Sequence, residues 1–299
     1  MKKQIIALAV LAVTAGAAMA QANDTLAKVK ASGSITMGVR ESSGALSFTL
    51  GDGKFAGFHV EVCQRIIAEV EKAAGRKLEV KYVPVTSQNR IPLVQNGTVD
   101  IECGSTTNNA TRQKDVAFLA TTFVEEGRIA VKANSGITGI AQLNGKNVAT
   151  TTGTTSVQHL RKHERATGVD FKEVFGKDHA DSFLLLESGR ADAFVMDGSI
   201  LAGNIANAKN PADFKIVGAV LNVEPIAIML RKDDPAFKKL ADGTIADLIK
   251  SGDMAKLWDK WFMQAIPPKN VKVGLALSES TKAAWGTPND RPMEDYAKK

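Results

Sequence analysis

Cysteine is nearly absent. Cys63 and Cys103 are the only two in 299 residues, which excludes a disulfide-knit scaffold and a four-thiolate zinc site. Long apolar runs are scarce too. The one at residues 5–18 is shorter than the ~20 residues a membrane-spanning helix needs, and no later run matches it. There is no G-x-S-x-G elbow and no G-x-G-x-x-G turn. Gly145-Lys146 lacks a glycine five residues earlier, and Asn147 stands where a phosphate loop needs Ser or Thr. His159 and His163 have an i, i+4 spacing that can hold zinc, but Leu160 replaces the acid of H-E-x-x-H. Around them Arg161, Lys162, Glu164 and Arg165 read as a solvated helix face. Lys and Arg are dispersed among acids, so no basic stripe could follow a nucleic-acid backbone.

What is present suits a folded protein with real cores. A 44% hydrophobic and 23% charged composition excludes disorder, and at ~150 residues per domain the length suggests two lobes. Lys2 and Lys3, the uncharged run after them and Ala18-Met-Ala20 have the layout of a secretory signal peptide cleaved after Ala20. Its removal takes two lysines and no acid from the net charge of +6. Export implies an oxidising compartment, where a Cys63–Cys103 bridge closing a loop of about 40 residues would add ~4 kcal/mol in the chain-entropy model. Two buried thiols packed as small hydrophobes are the alternative.

Short apolar segments at 35–39, 78–83, 99–103, 128–131, 147–150, 171–174, 191–196, 214–217 and 226–230 read as strands. Helical patterns at 60–74, 90–95, 156–165, 182–187, 235–249 and 253–263 alternate with them, which predicts parallel or mixed sheets covered by helices. The run Leu93-Val-Gln-Asn-Gly97-Thr-Val-Asp100-Ile101 resembles Leu185-Leu-Glu-Ser-Gly189-Arg-Ala-Asp192-Ala193. Each reads as a helix end, a glycine and a strand, so two similarly built lobes are expected. Crossovers are placed near 123–130 and 218–225, and the polar tail beyond Gly286 is expected to be peripheral.

In parallel α/β sheets, ligands bind beyond the carboxyl ends of the strands. Here those ends carry Arg40 with Glu41-Ser-Ser43; Thr86-Ser87-Gln-Asn-Arg90, with Ser87 as the expected N-cap; Ser105 and Thr107, with Arg112 one short segment later; Thr155; His179; and Asp197. Hydroxyls and helix N-termini suit carboxylates, arginines add bidentate hydrogen bonds, and Asp197 supplies an acceptor for an ammonium. Three arginines facing one aspartate leave an excess of positive charge, so the expected ligand is a small dicarboxylate amine.

At these residues the chain resembles the periplasmic amino-acid-binding proteins of ABC transporters (solute-binding protein family 3), and more narrowly the glutamate/aspartate-binding proteins. The strings that carry this are Arg40-Glu-Ser-Ser43, Thr86-Ser-Gln-Asn-Arg-Ile-Pro-Leu93, Glu102-Cys-Gly-Ser-Thr-Thr-Asn-Asn109, Lys177-Asp-His179, Asp181-Ser-Phe183, Leu186-Glu-Ser-Gly-Arg190 and Leu230-Arg-Lys-Asp-Asp-Pro235. The resemblance implies an α/β, two-lobed type II periplasmic-binding-protein fold with a two-stranded hinge. Lobe 1 would span 21–127 plus 223–299 and lobe 2 128–222. It implies a periplasmic monomer, without cofactor, that captures L-glutamate or L-aspartate and hands it to a membrane permease. Arg112, Ser105, Thr107 and Thr155 would hold the α-carboxylate, Asp197 the α-amino group, and Arg40, Ser87, Arg90 and His179 the side-chain carboxylate. The competing expectation is an enzyme on the same fold, a dehydratase of prephenate-like acids, with Glu102 or Glu173 as its general acid.

Overall fold

The computed structural model describes residues 24–296; the signal segment 1–20 read from the sequence lies outside them. Helix α1 (Thr25–Ser32) leads into β1 (Ser34–Val39), a small antiparallel meander of β2 (Ser42–Ser43), β3 (Ser47–Gly51) and β4 (Lys54–Ala56), and the long α2 (Phe58–Ala74). Then come β5 (Glu79–Pro84), α3 (Arg90–Gln95), β6 (Ile101–Glu102) and β7 (Val116–Phe118). Strand β8 (Phe123–Lys132) crosses into lobe 2, which holds β9 (Asn147–Thr151), α4 (Thr155–Thr167), β10 (Lys172–Gly176), α5 (His179–Glu187), β11 (Ala193–Asp197) and α6 (Gly198–Asn207). The chain returns along β12 (Phe214–Ile226) to β13 (Met229–Arg231), α7 (Pro235–Lys250) and α8 (Asp253–Trp258). It ends in the hairpin β14 (Ala265–Ile266) and β15 (Val271–Lys272), then α9 (Glu279–Gly286) and α10 (Met293–Tyr296).

Two five-stranded sheets result, ordered β5-β1-β6-β13-β7 and β10-β9-β11-β8-β12. In the first, β1 pairs parallel with β5 and β6; in the second, β9 pairs parallel with β10 and β11. Helices bury both faces because their apolar residues recur at helical spacing. In α2, Phe58, Val62, Ile66 and Val70 are buried at i, i+4 steps, and in α7 Phe237, Ala241 and Ile245 repeat the pattern. Helix α7 starts sharply: Pro235 takes its first turn and Asp234 accepts the Phe237 N–H. Leu257, Trp258, Trp261 and Phe262 are all buried, as core contacts.

The two lobes are joined by β8 and β12, which run antiparallel from Phe123↔Ile226 to Lys132↔Phe214, with the register shifting at a bulge between Val217 and Asn222. Gly127 lies opposite Asn222. Strand β12 is thus far longer than the 214–217 segment expected, because residues 218–226, placed at a crossover from the sequence, continue the pairing with β8 as a hinge ribbon. The meander β2–β4 is a further element that the apolar pattern did not reveal. The tail is also less peripheral than its polarity implied. Thr121 N donates to Asn289 O, Met293 N to Asn108 O, and Trp285 Nε1 to Thr122 O. Cys63, on α2, and Cys103, just past β6, form a disulfide with 6.4 Å between their Cα atoms.

Candidate functional site

Because β1, β5, β6 and β9–β11 run parallel within their sheets, their carboxyl ends gather at the gap between the lobes. Arg40 follows β1 directly and is completely buried. Its Nη2 donates to Asp178 Oδ1 of lobe 2 (2.6 Å) and lies 3.2 Å from His179 Nε2, while Nε and Nη1 have no partner among the described residues. After β5, Thr86 and Asn89 exchange backbone-to-side-chain bonds, and Asn89 occupies the N-cap position of α3. Ser87 is therefore not the cap expected from the sequence; its buried hydroxyl has no partner among the described residues. Arg90, the first residue of α3, is 2% exposed, and its Nε and Nη1 are also unpartnered.

The loop after β6 brings Ser105 within 3.0 Å of Ser43 Oγ, and Arg112, whose Nη1 donates to Thr107 O (2.9 Å) and Nη2 to Gly153 O of lobe 2 (3.4 Å). In lobe 2, α4 starts straight after the β9 turn. Its N-cap residue Thr154 makes no capping bond; the hydroxyl donates instead to Thr151 O. The first N–H groups of α4 therefore lack a side-chain acceptor beside the cavity, an arrangement that favours an anion. Asp197 closes β11 at the N-cap position of α6, again without a capping bond.

Seven of the nine residues singled out from the sequence (Ser87, Arg90, Ser105, Thr107, Thr155, His179 and Asp197) line one narrow cavity of about 10 Å³, so the side chains close tightly on one another. Arg40 and Arg112 stand behind this wall, touching His179 and Thr107 respectively.

Burial, followed by the charge of Arg40, pulls the His179 pKa down to about 3, so the ring is neutral. Burial and then Arg112 lower the Arg90 pKa, and burial and then Glu125 and Glu224 raise that of Asp197. An anion beside Arg90 and a cation beside Asp197 would relieve both. The charge balance differs from the sequence expectation of three arginines against one aspartate. Glu102 and Glu224 are buried in the same region, Glu125 joins them with a pKa that burial raises to about 7, and Asp178 pairs with Arg40. What favours an anionic ligand is thus the set of unpartnered donors, not a surplus of charge.

Several participants were given no ligand-binding role by the sequence reading, although Ser42 and Asp178 stand among its strand-end residues. Asp178 Oδ2 accepts from Ser42 Oγ (2.9 Å), and Ala180 N donates to the same hydroxyl (3.1 Å), so Ser42 and Arg40 of lobe 1 clasp the start of α5. Glu224 on β12 accepts from Thr107 and Thr155. His159, assigned to a solvated face, turns inward to Glu224 Oε1 (2.9 Å). A lone acid within the crossover segment was the signal for Glu224, legible only once that segment is a strand.

The lobes meet backbone on backbone at two places. A Cβ on Gly153, whose φ is 82°, would stand 2.9 Å from Gln88 N, and one on Gly203 would stand 2.8 Å from Gly44 Cα. Larger residues would hold the lobes apart.

Among known proteins, the chain is 45% identical over 295 residues to the "Glutamate/aspartate import solute-binding protein" of Escherichia coli (strain K12), covering 96% of this chain and 98% of that one. It is 44% identical over 273 residues to the "L-glutamate/L-aspartate-binding protein" of Pseudomonas aeruginosa, covering 90% of each. Among solved structures, a mutant of ArgBP from T. maritima superposes with a TM-score of 0.71 at 29% identity, over 80% of this chain and 99% of that one. Residues 35–264 match the family model of the bacterial extracellular solute-binding proteins, family 3. With two α/β lobes on a two-stranded hinge and a polar cavity between them, the chain belongs to the bacterial extracellular solute-binding proteins, family 3.

Proposed function

We propose that this protein captures L-glutamate or L-aspartate between its lobes and delivers it to the membrane permease of an ABC importer. One observation carries the reading: buried, unpartnered donors of Ser87 and Arg90 line the same narrow cavity as the buried acid Asp197, with the unpartnered Nε and Nη1 of Arg40 behind His179. In it, Arg40, Ser87, Arg90 and His179 take the side-chain carboxylate, Arg112, Ser105 and the start of α4 the α-carboxylate, and Asp197 the ammonium. Lobe 1 comprises 21–127 with 223–299, and lobe 2 128–222. The protein works as a periplasmic monomer after cleavage following Ala20. The names of its relatives support the ligand class.

The dehydratase reading draws no support from its candidate acids. Both oxygens of Glu173 are engaged by Arg161, and Glu102 is buried with Oε2 on Thr106. Calorimetric titration against glutamate, aspartate, glutamine and arginine tests the reading: the two acids should bind tightly, and arginine as the preferred ligand would overturn it.

Arg90 sets the preference for an acid over its amide. Its loss removes the partner of a buried carboxylate, at a cost of about 2–5 kcal/mol, whereas a neutral amide loses a hydrogen bond of about 1.5–3 kcal/mol to a charged group. Arg90→Ala should therefore weaken glutamate and aspartate more than glutamine, and equal losses in calorimetry would count against its role. Gly203→Ala should separate folding from closure. Alanine is favoured over glycine within a helix by about 0.5–1 kcal/mol, so the ligand-free melting temperature should hold or rise. The clash with Gly44 arises only when the lobes meet, so affinity for L-glutamate should fall by about tenfold or more, an overpacking cost of ~1–3 kcal/mol. Unchanged affinity would show that the lobes need not approach so closely.

A further inference from the structure

Resting on the reading of an amino-acid site, we propose that Glu224, on the hinge strand β12, is a positioning residue for the ammonium of the bound ligand. Four donors converge on its carboxylate. Asn222 Nδ2 (2.8 Å) and His159 Nε2 (2.9 Å) reach Oε1, and the hydroxyls of Thr107 (2.5 Å) and Thr155 (2.8 Å) reach Oε2. Glu224 is 1% exposed. Burial acts to raise its pKa, but the bonds from His159, Thr107 and Thr155 together hold it below the usual carboxylate range. Glu224 is thus an anion that only accepts.

A threonine hydroxyl has one proton to donate. Thr107 and Thr155 both spend it on Glu224, and their two oxygens are 3.4 Å apart on the cavity wall. Each therefore turns only lone pairs toward a ligand. Together with Asp197 they make three acceptors, matching the three N–H bonds of an ammonium. The same commitment bars these hydroxyls from donating to the α-carboxylate, the role the family resemblance implied for them. That anion is left to the fork of Arg112, to Ser105 and to the free N–H groups at the start of α4. Thr107 belongs to lobe 1 and Thr155 to lobe 2, so one hinge carboxylate aligns an acceptor from each lobe when the lobes come together.

The test is a mutant cycle on the whole protein with L-glutamate as probe: Glu224→Gln, Thr107→Val, and both together. Affinity is read by calorimetry, and folding by the melting temperature of the ligand-free protein. An amide accepts through one oxygen and donates through its nitrogen, so it cannot align both hydroxyls. Each single change should weaken binding by about ten- to a hundredfold, the range for a hydrogen bond to a charged group. The double variant should bind about as weakly as the worse single one, because the two act through one contact. Losses that multiply, or wild-type affinity in Glu224→Gln, would overturn the inference. Should Glu224→Gln not fold, Thr155→Val and Thr107→Val decide alone: wild-type affinity in either overturns it. Failure of the wild-type protein to bind L-glutamate would instead sink the functional reading itself.

Discussion

Replacing Arg112 with alanine should abolish tight binding of both L-glutamate and L-aspartate. Arg112 is 8% exposed, and its guanidinium is anchored on two backbone carbonyls, Thr107 O in lobe 1 and Gly153 O in lobe 2. Alanine would leave a carboxylate buried without its charged partner, and it would remove a hydrogen bond that spans the lobes. Truncating one partner of such a pair costs about 2–5 kcal/mol, roughly thirty- to several-thousandfold in affinity. Both ligands share the α-carboxylate, so both should suffer alike, in contrast to the selective loss expected for Arg90→Ala. Arg112→Lys keeps the charge but loses the planar fork, and should fall between alanine and wild type. Wild-type affinity of Arg112→Ala in calorimetry would remove the α-carboxylate assignment and with it most of the site.

The disulfide should dominate the stability of lobe 1. Cys63 and Cys103 lie 40 residues apart and are both completely buried, one on α2 and the other beside the loop that carries Ser105 and Thr107. A bridge closing a loop of that length restricts the unfolded chain by about 4 kcal/mol in the chain-entropy model. At ~2–4 °C per kcal/mol for a chain of this size, a Cys63→Ala/Cys103→Ala double variant should melt about 8–16 °C lower. Neither cysteine lines the cavity, so L-glutamate affinity measured well below the new midpoint should change little. An unaltered melting temperature would show that the packing around α2 carries the lobe unaided.

Much of this architecture is written in local pattern. Helical stripes such as Phe58, Val62, Ile66 and Val70, and apolar strands ending in Arg40, Ser105 or Asp197, announce both the element and the place where a chain of this type presents its chemistry. The alternation of those elements was enough to call two α/β lobes. The hinge was less legible: Gly218, Asn222, Glu224 and Pro225 interrupt the apolar run of β12, and residues 215–223 are only partly buried or exposed, so no period-two burial signal marks the strand. Ser87 was misread as a cap because any serine before a helix satisfies the same rule; only the observed Thr86–Asn89 exchange shows that its hydroxyl is left for the cavity.

The sequence by itself determined the element types, the two-lobe plan and the identity of most cavity residues, because periodicity and strand-end position are properties of neighbouring residues. Only the tertiary structure decided how the charges are matched. Arg40 meets Asp178 across 138 residues of chain, and Thr107 meets Glu224 across 117. Which proton a hydroxyl gives away, and which guanidinium nitrogens are left free, depends on acceptors that no local pattern brings near. A surplus of positive charge counted along the chain is therefore met, in the folded protein, by buried acids from distant segments, and what remains distinctive is the direction of the free donors and acceptors.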